Sequence, residues 1–196
     1  MPGQAKILTP SAEKRVFDYI ALERPRTFKQ DRVKLLLSLR AGMRACEIVG
    51  LTFADITDAE GNLSDEIRVR KETSKGGKKT FTRYIPMHPE LKVALQDVMP
   101  SIAKPSLRVV LNRSREPLSA NGLAVWFRDL YTKAGLDGCS SHSGRRSLLT
   151  NLARNCTQHG ASLKDVQAIS GHAEISSLAL YVDPNRGAKH ALIRSV

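Results

Sequence analysis

Cysteine is scarce and poorly placed for pairing. Cys46, Cys139 and Cys156 are an odd number without disulfide spacing, a pattern suited to a reducing compartment rather than a secreted scaffold. Aromatic residues make up only 5% of the chain, too few for a platform that stacks the bases of single strands. No run approaches the ~20 apolar residues needed to span a bilayer, and Met1–Thr9 lacks the apolar segment of a secretory leader. Together these absences predict a soluble, cytoplasmic protein with no membrane partner. Acidic residues are short as well: 19 Asp and Glu stand against 31 Lys and Arg, a formal net charge of +12.

Such an excess is either a solvated basic surface or the footprint of a polyanion-binding face, and in a chain of this kind the second reading is favoured. With so few aromatics, the backbone of a nucleic-acid duplex suits the charge better than unstacked bases do.

Apolar residues are 41% of the sequence, enough for a core, and 196 residues fit one large domain or two small ones. Thr9-Pro10 with Glu13 reads as a capped helix start, continued by Val16, Ile20 and Leu22 and broken at Pro25. A second helix is predicted over 30–41, with Val33, Leu36, Leu37 and Arg40 at helical spacing. Gly42 ends it, and a third helix follows over 44–51, then a polar turn over 58–63. The period then changes. Ile67 and Val69 alternate with charged residues, Phe81, Arg83 and Ile85 alternate again, and Ser74-Lys75-Gly76-Gly77-Lys78-Lys79 lies between. That is a β-hairpin with a glycine-lysine tip. Helices over 89–98 and 119–134 follow, the second opened by Ser119 as N-cap, with a short buried strand over 108–111 between them. No repeat, low-complexity run or linker divides the chain. The prediction is one domain over 1–196, mainly α with a small antiparallel β-sheet (α+β), ending in a tail over 184–196.

The stretch from Ser141 to Tyr181 concentrates reactive side chains. Two Cys-x-x-His pairs, Cys139 with His142 and Cys156 with His159, have the look of zinc half-sites. The residues between them read as one helix with Leu148, Leu149, Leu152 and Ala153 on a stripe. About fourteen helical residues cover ~20 Å, so the pairs cannot converge and no metal site is predicted. Cys46 and Cys156 read instead as small core residues, and His88, His159 and His190 as surface residues.

Taken singly, the remaining groups have plain explanations. Tyr181 is a packed residue near a helix end, His172 a helix-start histidine, Arg145 with Arg146 a solvated basic face, and Arg44 an ion pair with Glu47. Their order changes the reading: Arg44, Lys75, His142-x-x-Arg145, His172 and, nine positions on, Tyr181. In Arg40-Ala41-Gly42-Met43-Arg44-Ala45-Cys46-Glu47, in Ser74-Lys75-Gly76 with Arg83-Tyr84-Ile85-Pro86-Met87, in His142-Ser143-Gly144-Arg145 and in Gly171-His172 the chain resembles the tyrosine recombinases, or phage integrase family. The resemblance runs from about Leu8 to Asp183. Gly144 and Ser170 depart from it, since the family often carries leucine there. Only about forty residues precede Arg40, too few for the N-terminal clamp domain of most members. The chain is therefore expected to be a short catalytic-domain form or part of a larger protein.

The resemblance implies a tyrosine-recombinase-like catalytic domain that cleaves and rejoins DNA. Tyr181 attacks a phosphodiester, forms a 3′-phosphotyrosyl link and releases a 5′-hydroxyl. A later 5′-hydroxyl reverses the step, so neither ATP nor any other cofactor is needed. Negative charge gathers on the non-bridging oxygens of the pentacoordinate phosphorus. Arg44 and Arg145 clamp them with forked donors that stay charged at any working pH, which removes the need for a metal. His142 is a proton acceptor for Tyr181, whose free pKa is about 10, or a donor to the phosphate; His172 bonds a non-bridging oxygen. Lys75 protonates the leaving oxygen, with Lys78 or Lys79 as substitutes, and Glu47 buttresses an arginine or the helix start. The implied partners are double-stranded DNA, further copies of the chain as a tetramer on DNA, and accessory DNA-bending proteins, with the protein nucleoid-associated when bound. The tail either passes to a neighbouring protomer, with Ala188, Leu192 and Ile193 as an apolar stripe, or folds back on its own core. Two other functions share these residues: a type IB topoisomerase-like enzyme that relaxes DNA, and a non-catalytic DNA-binding module with a decayed site.

Overall fold

Thr9 caps the first helix, α1 (Pro10–Glu23), by accepting a hydrogen bond from the Ala12 amide at 3.2 Å, with Pro10 in the first turn where its missing N–H costs nothing. Val16 and Ile20 are its buried residues, while Leu22 faces out. In this computed structural model residues 5–73, 81–100, 104–181 and 194 are described. The chain divides into two compact units, 1–148 and 149–196, and the division falls inside one helix.

In the first unit α2 (Phe28–Leu39) is enclosed. It buries Val33, Leu35, Leu36, Leu37 and Leu39 and packs against α1, α3 (Ala45–Gly50) and α4 (Pro89–Gln96). A helix apolar around most of its circumference belongs at the centre of a fold, and α2 begins and ends two residues earlier than its sequence pattern suggested. Two of its buried polar residues, Asp31 and Lys34, are paired. Asp31 accepts from Arg24 Nε at 2.6 Å, Thr27 Oγ1 at 2.6 Å and Lys34 Nζ at 3.0 Å, and Lys34 also sits 5.0 Å over the Trp126 ring. Burial pushes the Lys34 amine below its ordinary range, against the opposing pull of Asp31. α5 (Ala120–Lys133), capped by Ser119 through the Gly122 amide, packs on α3.

Two strands, β1 (Glu66–Val69) and β2 (Arg83–Pro86), pair antiparallel with Ile67 opposite Ile85 and Val69 opposite Arg83. The predicted hairpin is therefore present, although its lysine tip over 74–79 lies outside the described residues. The predicted strand over 108–111 is not one. Val109 and Val110 are buried, but the segment makes only isolated bridges, Thr52 to Arg108 and Leu111 to Pro117. The Gln30 side chain takes the place of a partner strand, donating to the Val109 carbonyl at 3.2 Å and accepting from the Leu111 amide at 3.1 Å.

α6 (Ser143–Asn155) runs unbroken between the two Cys-x-x-His pairs, as its stripe predicted. In the second unit it is followed by a 3-10 turn over Cys156–His159, by α7 (Leu163–Ser170) and by a 3-10 segment over Ile175–Tyr181. Leu149, Cys156, Val166 and Leu178 form a small core, with Leu152, Ala161 and Tyr181 packed against it. Ser162 and Asp165 cap α7 reciprocally, which starts this short helix without long-range help. Among the described residues no helix is long and apolar enough to cross a membrane.

Candidate functional site

Gly42 turns the chain between α2 and α3 at φ +59°, the left-handed region that glycine enters at least cost. Arg44 follows at the N-cap of α3. Glu47, one turn into that helix, is fully buried and ties three groups together. Its carboxylate accepts the Arg44 backbone N–H at 2.8 Å and the Arg44 guanidinium at 3.2 Å. It also takes both arms of Arg83, from β2, at 2.8 Å each. Burial alone would raise the Glu47 carboxyl; the bidentate Arg83 contact and then Arg44 outweigh it and bring the pKa down to about 2. The amide end of α3 thus has an internal anion rather than an open one, and the Arg44 side chain, 21% exposed, is held from behind. Arg40, in the same sequence motif, is structural. It bridges Glu13 at 3.0 Å and Glu90 at 3.1 Å, joining α1 and α4 to the end of α2.

Arg145 reaches the same turn from α6. It is buried and donates to the Gly42 carbonyl, two residues before Arg44. An alanine at Gly42 would be strained by its φ and would crowd Leu148 at 3.0 Å, so the glycine serves both the turn and the seating of Arg145. His142 lies on the exposed turn that starts α6, its amide bonded to Ser140 Oγ at 3.3 Å and its carbonyl accepting from Arg146 at 2.9 Å. Gly144 allows α6 to lie close on α2: a Cβ there would fall 2.5 Å from Ser38 Oγ and 3.3 Å from Leu39. A leucine, frequent at this position in the resembling family, has no room in this chain.

The second unit holds His172 and Tyr181. α7 ends at Gly171, φ +63°, whose amide bonds the Gln167 carbonyl at 2.7 Å and turns the chain so that residues 170 and 172 meet. Ser170 Oγ lies 2.9 Å from His172 Nδ1. The Gln167 side chain holds the loop beyond, donating to the carbonyls of His172 at 3.1 Å and Ala173 at 3.0 Å. The His172 and Tyr181 rings stand 5.9 Å apart, tilted by 38°, with Tyr181 half-buried against the small core. Arg44, Arg145 and His142 therefore lie in the first unit, and an imidazole stands beside a phenol in the second. Lys75 lies outside the described residues.

Arg83 and Ser170 contribute beyond the expected site residues. Arg83 alternates along its strand and stands in the family-like hairpin motif, and a charged residue in phase with Ile85 on the inward face is the sequence sign of a buried partner. Ser170 is legible in the sequence only as a departure from the family pattern. Of the cysteines, Cys156 is buried as expected; the Cys46 thiol is pushed up by burial and by neighbouring Glu47, which suits packing rather than reactivity.

A family model described as the phage integrase family matches residues 7–187. Tyrosine recombinase XerC of Lactobacillus leichmannii is 30% identical over 161 residues, covering 78% of this chain and 50% of that protein. Tyrosine recombinase XerD of Staphylococcus saprophyticus is 27% identical over 193 residues, covering 89% and 61%. The chain thus spans about half the length of the first curated relatives it matches. Among solved structures, the Tn1549 transposon integrase in complex with a circular intermediate DNA superposes with a TM-score of 0.73 at 22% identity, covering 99% of this chain and 67% of that one. A lambda integrase dimer bound to a core site gives 0.65 at 19% identity, covering 92% and 49%. At these identities the structures establish the fold: mostly helical with a small antiparallel sheet.

Proposed function

The chain belongs to the phage integrase family, and from that premise we propose that it is a site-specific DNA recombinase acting through a covalent bond at Tyr181. The observation that carries the reading is the pairing of the Tyr181 and His172 rings at 5.9 Å. It sets a nucleophile beside a hydrogen-bonding group at the spacing the sequence motif requires. The phenolic oxygen attacks phosphorus as the bond from phosphorus to O5′ breaks. The phenol proton passes to an acceptor, with His142 in that role or as a phosphate ligand, and the departing O5′ takes a proton from Lys75. Arg44 and Arg145 stabilise the charge on the non-bridging oxygens; because Glu47 and Gly42 hold them in place beforehand, little reorganisation is needed as charge develops. In this reading the two units form one catalytic domain. The partners are double-stranded DNA, three further copies of the chain on paired sites and accessory DNA-bending proteins, in the cytoplasm and on the nucleoid.

The test is covalent trapping on a nicked duplex whose short 5′ fragment diffuses away after cleavage. The unaltered chain should accumulate an adduct, and Tyr181→Phe should lose it while still shifting the duplex in a gel. An adduct that persists in Tyr181→Phe sinks the assignment. In the same assay Lys75→Ala should slow cleavage of an ordinary phosphodiester by about 100-fold or more, yet spare a 5′-bridging phosphorothiolate, whose sulfur leaves without a proton. Equal defects on both substrates rule out the acid role for Lys75.

A further inference from the structure

Ser170 is the last residue of α7 and is 1% exposed, so its hydroxyl is enclosed by its neighbours. Polar groups of His172 and Gln167 lie within hydrogen-bonding reach of that oxygen. His172 Nδ1 is at 2.9 Å, the His172 backbone N–H at 3.3 Å and the Gln167 carbonyl at 3.1 Å. A serine hydroxyl has one proton to donate and two lone pairs to accept with. The backbone N–H is accepted, and Nδ1 and the Gln167 carbonyl are both within reach of the single proton. That carbonyl already receives the Gly171 amide at 2.7 Å, whereas a deprotonated Nδ1 presents a lone pair to the hydroxyl at 2.9 Å.

We propose that Ser170 is a positioning residue that keeps a proton on His172 Nε2 in both charge states of the ring. When the imidazole is neutral, the hydroxyl donates to Nδ1, and the ring proton sits on Nε2. When the imidazole is cationic, Nδ1–H donates to the hydroxyl, which turns its own proton to the Gln167 carbonyl. No heavy atom has to move for the exchange: Nδ1 gains or loses one proton from solvent, and the hydroxyl rotates. Nε2 is therefore a hydrogen-bond donor on either side of the imidazole titration, and the ring never presents Nε2 as a lone pair. This suits a group that must bond a non-bridging phosphate oxygen and not take a proton. A leucine in place of Ser170 has no means of doing this. The backbone is built to hold the arrangement. Gly171 makes the reversal that brings residues 170 and 172 together, and Gln167 pins the carbonyls of His172 and Ala173. The Tyr181 phenol stands against the ring. Asp165 is bound to Ser162 at the opposite end of α7, and Glu174 is exposed.

The inference builds on the proposed role of His172, so its test has one arm that needs no DNA. In the full chain labelled with 15N-histidine, the His172 ring nitrogens at about pH 8, above the ordinary imidazole range, should show the Nε2–H tautomer. Ser170→Ala should shift both ring signals towards a tautomer mixture, and Ser170→Thr, which keeps the hydroxyl, should restore them. An Nδ1–H tautomer in the unaltered chain, or identical ring signals in Ser170→Ala, overturns the proposal. In the second arm, adduct formation at pH 8 should be about tenfold slower for Ser170→Ala, the scale of one hydrogen bond, and recover in Ser170→Thr. Unchanged cleavage in Ser170→Ala at that pH also overturns it. A chain that forms no adduct at all refutes the recombinase reading, and the nitrogen spectra still decide the role of Ser170.

Discussion

Glu47 shows how one buried carboxylate sets the behaviour of its neighbours. It faces two guanidiniums and a backbone amide with no exposed side-chain surface, so removing it leaves Arg83 charged inside the protein. Breaking a buried pair in this way typically costs 3–5 kcal/mol, mostly for the stranded charge, even though the intact pair need not be stabilising on balance. Glu47→Gln should therefore lower stability by about that amount at pH 7. The pH dependence has a definite sign. The folded pKa is about 2 against an ordinary 4.5, so the contribution is fully present above pH 4.5 and is lost as pH falls towards 2. The gap between the unaltered chain and Glu47→Gln in urea unfolding should be about 2 kcal/mol smaller at pH 3 than at pH 7. A gap that stays constant across that range would mean Glu47 is not held in its charged form by these partners.

At the scale of elements, the approach of α6 to α2 decides where Arg145 lies. Gly144 lets the helices touch, and the atom in the way of any side chain is Ser38 Oγ at 2.5 Å, a buried hydroxyl without a hydrogen-bond partner among the described residues. Gly144→Ala should cost about 1–3 kcal/mol through overpacking. Ser38→Ala removes the nearest obstruction and an unsatisfied polar group. The double variant should thus be more stable than the sum of the single effects by at least about 0.5 kcal/mol, read from chemical denaturation as a double-mutant cycle. Strict additivity would place the helix contact elsewhere. The same geometry explains why this chain carries glycine where its family often carries leucine: the small residue is matched to the α2 side chain it faces.

For the molecule as a whole, charge is the dominant feature. Arginine and lysine exceed acids by twelve, and many of the acids are spent internally, as with Asp31, Glu47 and Asp55. If the basic excess binds duplex DNA through phosphates, each contact releases a condensed counterion. Affinity should fall roughly a thousandfold between about 50 and 200 mM salt for about six contacts. Fluorescence anisotropy of a labelled duplex across that range measures it, and a flat response would contradict duplex-backbone binding.

Much of this protein was legible in order along the chain. Thr9 and Ser119 announce their helices because a cap is a local hydrogen bond between near neighbours. The hairpin shows in a two-residue period, and the family shows in Arg44, His142, Arg145, His172 and Tyr181 because motif spacing is a property of sequence alone. Other features have no local signature. The segment over 108–111 is apolar enough for a strand, yet the distant Gln30 amide supplies two of its hydrogen bonds instead. Arg83 reads as a strand residue until Glu47 is found opposite it, thirty-six positions away. Ser170 reads as a lost leucine until the turn at Gly171 folds His172 back over its hydroxyl. Sequence determined which groups the chain has for chemistry and the helices that hold them. Only the tertiary structure decided which buried partner fixes the charge or orientation of each, because burial and hydrogen bonding between distant residues depend on three-dimensional contact and not on spacing along the chain.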